Sequence, residues 1–205
     1  MRKILFIFLI IIPSIASKGQ LVINKNLEWS DGKEVQIDLA ILDSAKIETW
    51  NENYIALEIF VDINNNKNND WYHLETNDSR NLILVKSSFA KKKNFNADIF
   101  ANIKLPKNCP LTFETIHGNI QLTGHEAPFS INTISGFIDI TLNAEESFNF
   151  HIESIAGKVY TDLPLEQEKT DTPLVGTDME ASINGGKKAV NLKTISGNIY
   201  IRKEI

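Results

Sequence analysis

Four segments of this chain align without gaps, and their shared pattern limits what it can fold into more than any other feature. They are residues 111–122 (LTFETIHGNIQL), 129–140 (FSINTISGFIDI), 150–161 (FHIESIAGKVYT) and 190–201 (VNLKTISGNIYI). Each is anchored on a glycine: Gly118, Gly136, Gly157 and Gly197. Two residues earlier stands an isoleucine in every unit, Ile116, Ile134, Ile155 and Ile195. Two residues later stands Ile120, Ile138, Val159 or Ile199. Thr115, Thr133, Ser154 and Thr194 lie three before the glycine, and Phe113, Ile131, Ile152 and Leu192 five before it. The glycines are 18, 21 and 40 residues apart, so the last gap has room for a degenerate unit around Gly176 with alternating Met179, Ala181 and Ile183.

Within each unit apolar and polar residues alternate as they do in half-buried strands, and no window carries a helical stripe. The parity of the apolar positions changes between the Thr/Ser and the isoleucine, which predicts a corner or bulge at that point. The glycine that follows either takes a backbone conformation barred to other residues or leaves room for a neighbour. A unit of about 20 residues cannot bury its own apolar face, and stacking of successive units does so. The expected fold is therefore all-β: a β-solenoid, parallel β-helix-like, with two short strands per unit and Ile116, Ile134 and Ile155 in an interior column. The upstream half predicts strands near residues 35–41, 54–63, 81–85 and 98–105 and lacks the glycine marker, as irregular coils or a cap would.

Arg2 and Lys3 precede nine unbroken apolar residues, Ile4 to Ile12, and then Pro13, Ser14, Ile15, Ala16 and Ser17, the three-part pattern of a secretory signal peptide. The apolar run is too short to span a membrane, which takes about 18 residues or more. The expected organisation is a signal peptide over residues 1–17 and a single domain over 18–205, with 18–100 irregular and 101–205 regular. Removing Arg2 and Lys3 leaves 19 basic against 26 acidic side chains, a formal −7. The one basic run is Lys91, Lys92 and Lys93, which argues against nucleic acid as a partner. Cys109 is the only cysteine, so no intramolecular disulfide is possible; it reads as a small buried apolar residue. The mature chain is expected outside the cytoplasm, in the periplasm, at the cell surface or secreted.

The four Thr/Ser-Ile-x-Gly-x-Ile/Val units, the entry ANIKLPKNCPLTFETIHGNIQLTG over residues 101–124, and the ending INGGKKAVNLKTISGNIYI over residues 183–201 resemble an exported bacterial β-strand-repeat family. That family is of unknown function and its members are often called "putative adhesins". The resemblance spans roughly residues 46–201 and implies an extracytoplasmic β-solenoid with no catalytic residues to carry over. This chain departs from the pattern in having His117 before the glycine and a long first half with an Asn-rich loop.

That loop, residues 62–70, places Asp62, Asn64, Asn66, Asn68 and Asp70 at alternate positions, as the first part of a calcium loop does. Lys67 stands where such a loop needs glycine and His73 where the bidentate glutamate belongs, so a solvated turn is the preferred reading. His73, His117, His125 and His151 show no zinc spacing, and His117 is expected as an exposed turn histidine. No nucleophile elbow, Walker loop or dinucleotide fingerprint occurs. Outward positions after the glycines include Phe137, Tyr160 and Tyr200, which could form an aromatic strip that stacks on sugar rings or a partner protein, or simply pack across strands. The acids there, Asp139 and Asp162, lack the adjacent partner that glycan cleavage needs. These features predict a non-enzymatic, exported interaction module without a cofactor or metal, partnered by a glycan or a cell-envelope protein and able to self-associate through the chain end from Asn198. A calcium- or glycan-binding sensing module is the alternative, and a polysaccharide-cleaving β-helix the third reading.

Overall fold

The computed structural model describes residues 19–90, 95–171 and 176–204; the leader and Lys91, Lys92 and Lys93 lie outside the described residues. Seven strands precede the repeats: β1 (Leu21–Glu28), β2 (Glu34–Asp38), β3 (Ile41–Trp50), β4 (Tyr54–Ile63), β5 (Tyr72–Asp78), β6 (Leu82–Phe89) and β7 (Ala97–Pro106). The first unit is one long strand, β8 (Leu111–Thr123). The second forms β9 (Phe129–Ser135) and β10 (Ile138–Leu142), and the third β11 (Phe148–Ala156) and β12 (Val159–Thr161). After β13 (Glu166–Asp171) and β14 (Thr177–Ile183) the fourth unit forms β15 (Lys188–Ser196) and β16 (Ile199–Lys203). A short 3-10 turn, Asn69–Trp71, is the only helical element among the described residues.

The strands join in one mixed sheet that divides at β8. The first half of β8 pairs in parallel with β2 and β9, and its second half, past Gly118, pairs in parallel with β3 and β10. One wing therefore runs β5-β6-β2-β8-β9-β15-β11-β14-β13, and the other β1-β4-β7-β3-β8-β10-β16-β12. Phe113, Ile131, Ile152 and Leu192 of the first wing and Ile47, Ile120, Ile138 and Ile199 of the second belong to a single buried cluster. Each such side chain contributes about 1.5–3 kcal/mol on burial, so the two wings are held by the core they share.

This mixed sheet replaces the expected β-solenoid. Successive units do not stack in chain order: β15 lies between β9 and β11, so the units are arranged first, second, fourth, third. Antiparallel strands form the margins, with β1-β4-β7 on one side, β5-β6 on another and β11-β14-β13 on a third. The turn between β14 and β15 explains the changed order. Asn184, Gly185 and Gly186 all take positive φ, at 52°, 80° and 59°. Asn184 Nδ2 donates to the carbonyls of Ala144 and Glu146, both at 2.8 Å, and Ser147 Oγ donates to the Asn184 carbonyl at 2.8 Å. The chain thus crosses the start of β11 and enters on its other side. Met179, Ala181 and Ile183 do alternate inward, but on a strand antiparallel to β11 and outside the repeat. The chain end is likewise not a final edge, because β16 is paired on both sides, with β10 and β12.

The isoleucine column also points the other way. Ile116, Ile134, Ile155 and Ile195 are 54%, 47%, 45% and 40% exposed, whereas Thr115, Thr133, Ser154 and Thr194 are buried. Inward parity runs unbroken through the Thr/Ser position, as in Leu111, Phe113 and Thr115, and the corner falls later, at the glycine. Three hydroxyls donate to carbonyls at that corner: Thr115 to His117 at 3.0 Å, Thr194 to Gly136 at 3.2 Å, and Ser154 to Gly197 at 3.2 Å. Pairing offsets the cost of burying these three hydroxyls, while Thr133 Oγ1, at the same inward place, has no partner among the described residues. At the corner itself a Cβ on Gly136 would stand 2.0 Å from the Gly118 carbonyl oxygen, and one on Gly197 2.0 Å from that of Gly136. A Cβ on Gly157 would stand 1.8 Å from the Gly197 oxygen.

Two stability outcomes follow from this inversion. Ile131→Ala, fully buried, should cost about 2–5 kcal/mol in denaturant unfolding, while Ile134→Ala, three residues on, should cost no more than about 1 kcal/mol. Gly136→Ala, with φ at 142° and no space for a methyl group, should cost on the order of 3 kcal/mol or prevent folding.

Candidate functional site

The in-register pairing that buries Phe113, Ile131, Leu192 and Ile152 side by side brings the four marker isoleucines together on the outer face of the first wing. Thr115 pairs with Thr133, Thr133 with Thr194, and Thr194 with Ser154, so Ile116, Ile134, Ile195 and Ile155 follow one another across four neighbouring parallel strands. Strand spacing in such a ladder is about 4.8 Å, so four β-branched side chains form a continuous apolar ridge. Beside it lies a groove of about 280 Å³, lined by Ile116, Ile134 and Ile195 and by Asp38, Glu114, Asn132 and Lys193. Two of its charges are paired, Asp38 with Lys86 at 3.2 Å and Lys193 with Glu153 at 2.6 Å. Apolar floor and charged rim are the ordinary make-up of a protein-binding patch.

The structure also brings the aromatic strip together, on the other wing. Tyr160 and Tyr200, directly paired between β12 and β16, stack with ring centroids 5.2 Å apart and planes 11° apart. Phe137 meets Tyr200 edge-on at 6.2 Å, and the Arg202 guanidinium sits 5.2 Å from the Tyr200 ring. The rings thus spend much of their surface on one another, and Tyr160, 47% exposed, is the most open of the three. Arg202 is fixed by a two-pronged bond to Asp139, at 2.7 and 3.0 Å, and the hydrogen bond raises its pKa further. Asn119 Oδ1 accepts from the Phe137 amide at 3.2 Å, and Asn198 Oδ1 from the Lys158 amide at 3.0 Å, so an asparagine after the glycine clips the first unit to the second and the fourth to the third.

In the Asn-rich loop Asn64, Asn65 and Asn66 take left-handed φ values of 54°, 56° and 61°. Its oxygens bond to the loop itself: Asp62 Oδ1 accepts from the Asn66 amide at 2.6 Å, Asn69 Oδ1 from the Ile63 amide at 2.7 Å, and Asn68 Oδ1 from Asn64 Nδ2 at 2.9 Å. Asn64 Oδ1 accepts from the Asn96 amide at 3.1 Å. This is a self-bonded turn, in which side-chain oxygens of Asp62, Asn64, Asn66 and Asn68 already accept from backbone or side-chain amides. Among the described residues no group of three or more His, Cys, Asp or Glu side chains is arranged to hold a metal ion.

His117 is exposed, on strand β8 and not in a turn, whereas His125 is buried. His125 is 1% exposed, packs edge-on against Phe129 at 5.3 Å, and neither ring nitrogen has a hydrogen-bond partner among the described residues. Burial pushes its pKa down to about 4; the nearby Cys109 backbone offsets this slightly and the charge of Lys188 adds to it. Cys109 is fully buried, and burial pushes its thiol up to about 12, which leaves it a poor nucleophile. Sequence reasoning also missed the buried hydroxyl column; its signal was a Thr or Ser at the same place in every unit.

No family model and no curated protein matches the chain. Among solved structures it is similar to a "putative cell adhesion protein" from Clostridium sporogenes, with a TM-score of 0.58 and 12% identity over 91% of this chain and 100% of that one. A "putative adhesin" from Bacteroides fragilis aligns with a TM-score of 0.37 and 12% identity over 91% of this chain and 99% of that one. The first of these shows a shared fold. No helix among the described residues is long and apolar enough to cross a membrane.

The buried imidazole gives stability a pH dependence of known sign. Above pH 6.5 the site is neutral in both states. Between 6.5 and about 4 the unfolded chain binds a proton that the folded one refuses, so stability falls as pH falls, by on the order of 3 kcal/mol in all. Denaturation midpoints measured across that window should fall less steeply for His125→Leu than for the parent protein.

Proposed function

We propose that this chain is an exported, non-enzymatic interaction module of the adhesin-like kind, and that it binds a protein of the cell envelope through the isoleucine ridge on its first wing. The observation that carries this reading is the repeated exposure of Ile116, Ile134, Ile195 and Ile155. A single exposed isoleucine would need no explanation; four in a row, at the one solvent-facing position that never varies among the units, form a patch that costs solubility unless it is used. The secretory leader read in the sequence and the fold shared with a protein described in terms of cell adhesion support the setting. The chemistry of the groove favours protein over glycan. Sugar rings stack on flat aromatic faces, and the groove is lined by branched aliphatic side chains and paired charges.

The aromatic strip gives the second reading, a glycan contact at Tyr160, whose ring is the most exposed of the three. The two readings separate by mutation. Ile134→Glu with Ile195→Glu should leave the melting temperature within a few degrees of the parent, because both sites face solvent, and should lower capture of an envelope protein from fractionated membranes by at least about tenfold. Tyr160→Ala, which leaves the ridge intact, should lower that capture by less than the isoleucine variant does. Loss of glycan-array binding in Tyr160→Ala, with the isoleucine variant unaffected, would move the function to the strip, and turnover of any glycan by the parent would overturn the non-enzymatic reading.

A further inference from the structure

The second wing ends at β12. Among the described residues β12 has one partner, β16, which it meets in parallel. Lys158 accepts from the Ile199 amide at 2.9 Å, and the Asp162 amide donates to Ile201 at 3.3 Å. In a parallel ladder the residues between alternate, so the backbone groups of positions 158, 160 and 162 face β16 while the N–H and C=O groups of Val159 and Thr161 face away from the sheet. Lys158, Tyr160, Thr161 and Asp162 are exposed and Val159 is half-buried.

We propose that two copies of this chain join edge to edge through antiparallel pairing of residues 158–162, centred on Tyr160. The sequence Lys-Val-Tyr-Thr-Asp is self-complementary in that one register. Val159 of each copy pairs with Thr161 of the other, and the two residues exchange both backbone bonds, giving four hydrogen bonds from groups that already point outward. Tyr160 meets Tyr160 of the other copy in the closer, non-hydrogen-bonded kind of pair, which extends the stack of Tyr200 on Tyr160 across the two-fold axis. Lys158 of each copy stands opposite Asp162 of the other, on the same face as the tyrosines, so an attractive charge pair closes each end. Lys158 has no ion-pair partner among the described residues, and Asp162, whose charge also acts on Arg202, accepts from the Lys203 amide through Oδ1 at 2.6 Å. The edge strand β5, by contrast, carries Glu75 and Asp78 and no lysine or arginine, and a copy of itself laid against it centred on Glu75 would oppose like charges. The interface is isologous and closes at two copies, because pairing uses up both edges.

This inference stands on the second wing and does not depend on the isoleucine ridge of the first. Sedimentation velocity over a concentration series should show a reversible monomer–dimer equilibrium. Lys158→Asp and Asp162→Lys should each weaken it about tenfold or more, and the double variant, which swaps the charges, should restore it. Under oxidation Tyr160→Cys should form a disulfide-linked dimer, since paired Cα atoms lie about 4.5 Å apart in such a pair, whereas Tyr200→Cys should not. Buried Cys109 does not compete. A protein that stays monomeric throughout and fails to cross-link at position 160 overturns the proposal. So does a dimer that the single charge reversals leave untouched, which would place the contact on another edge such as β1.

Discussion

The fold depends on the distance at which four peptide corners approach each other. Between neighbouring units the carbonyl of one glycine occupies the place where a side chain on the next would be, within 2.0 Å of the missing Cβ at Gly136, Gly197 and Gly157. With the corners seated this closely, the strands before them pair in parallel on one wing and the strands after them in parallel on the other, and each unit contributes to both. A methyl group at any corner would push one unit away from its neighbour and open both ladders at once. Gly118, at the outer end of the row, is constrained differently: its Cβ would meet Leu42 and not another corner. There the repeat gives way to the less regular first half.

Much of this was legible in the residues, and the failures have identifiable causes. The alternating strands of the repeat units and the upstream strand at residues 54–63 follow from alternation and spacing, whereas β1 and β3 went unread. The order of the units does not, because a local pattern says which strands are equivalent and not which are neighbours. That was decided by Asn184, whose side chain ties the turn after β14 to the carbonyls before β11 and sends the fourth unit in between the second and third. The facing of the isoleucines was misjudged for a different reason. Isoleucine was assigned to the interior by its own hydrophobicity, yet parity continued from Phe113 to Thr115 and put the hydroxyl inside. A carbonyl at the tight corner meets the hydroxyl in three of the four units, and Thr133 alone is buried there without a partner among the described residues.

The same substitution pattern links stability to surface. The inward hydroxyls of Thr115, Thr194 and Ser154 each donate to a carbonyl at the corner, so in these three units the polar inward site and the glycine corner are joined. Because inward parity is occupied by the hydroxyl, the next residue must face solvent. An apolar residue there contributes little to the core, and its repetition places four isoleucines in a ridge by the same register that aligns the hydroxyls. The candidate site is therefore a direct projection of the repeat onto the surface, with no loop needed to assemble it.

The two wings manage their exposed surface in opposite ways. On the first, the apolar ridge lies on the face of strands that are paired on both sides, so its backbone is satisfied and only side chains remain to be recognised. On the second, the exposed aromatic residue lies on a strand of three residues with one open edge, where side chain and backbone are available together. A patch of the first kind discriminates by shape and side-chain chemistry and can accept varied partners; a patch of the second kind fixes register through backbone bonds and is selective for an extended segment. The division assigns partner binding to the ridge and self-pairing to the edge. A chain that presents its ridge in two copies, joined at the far wing, would bind a surface bearing many copies of a target with an avidity that neither ridge supplies alone.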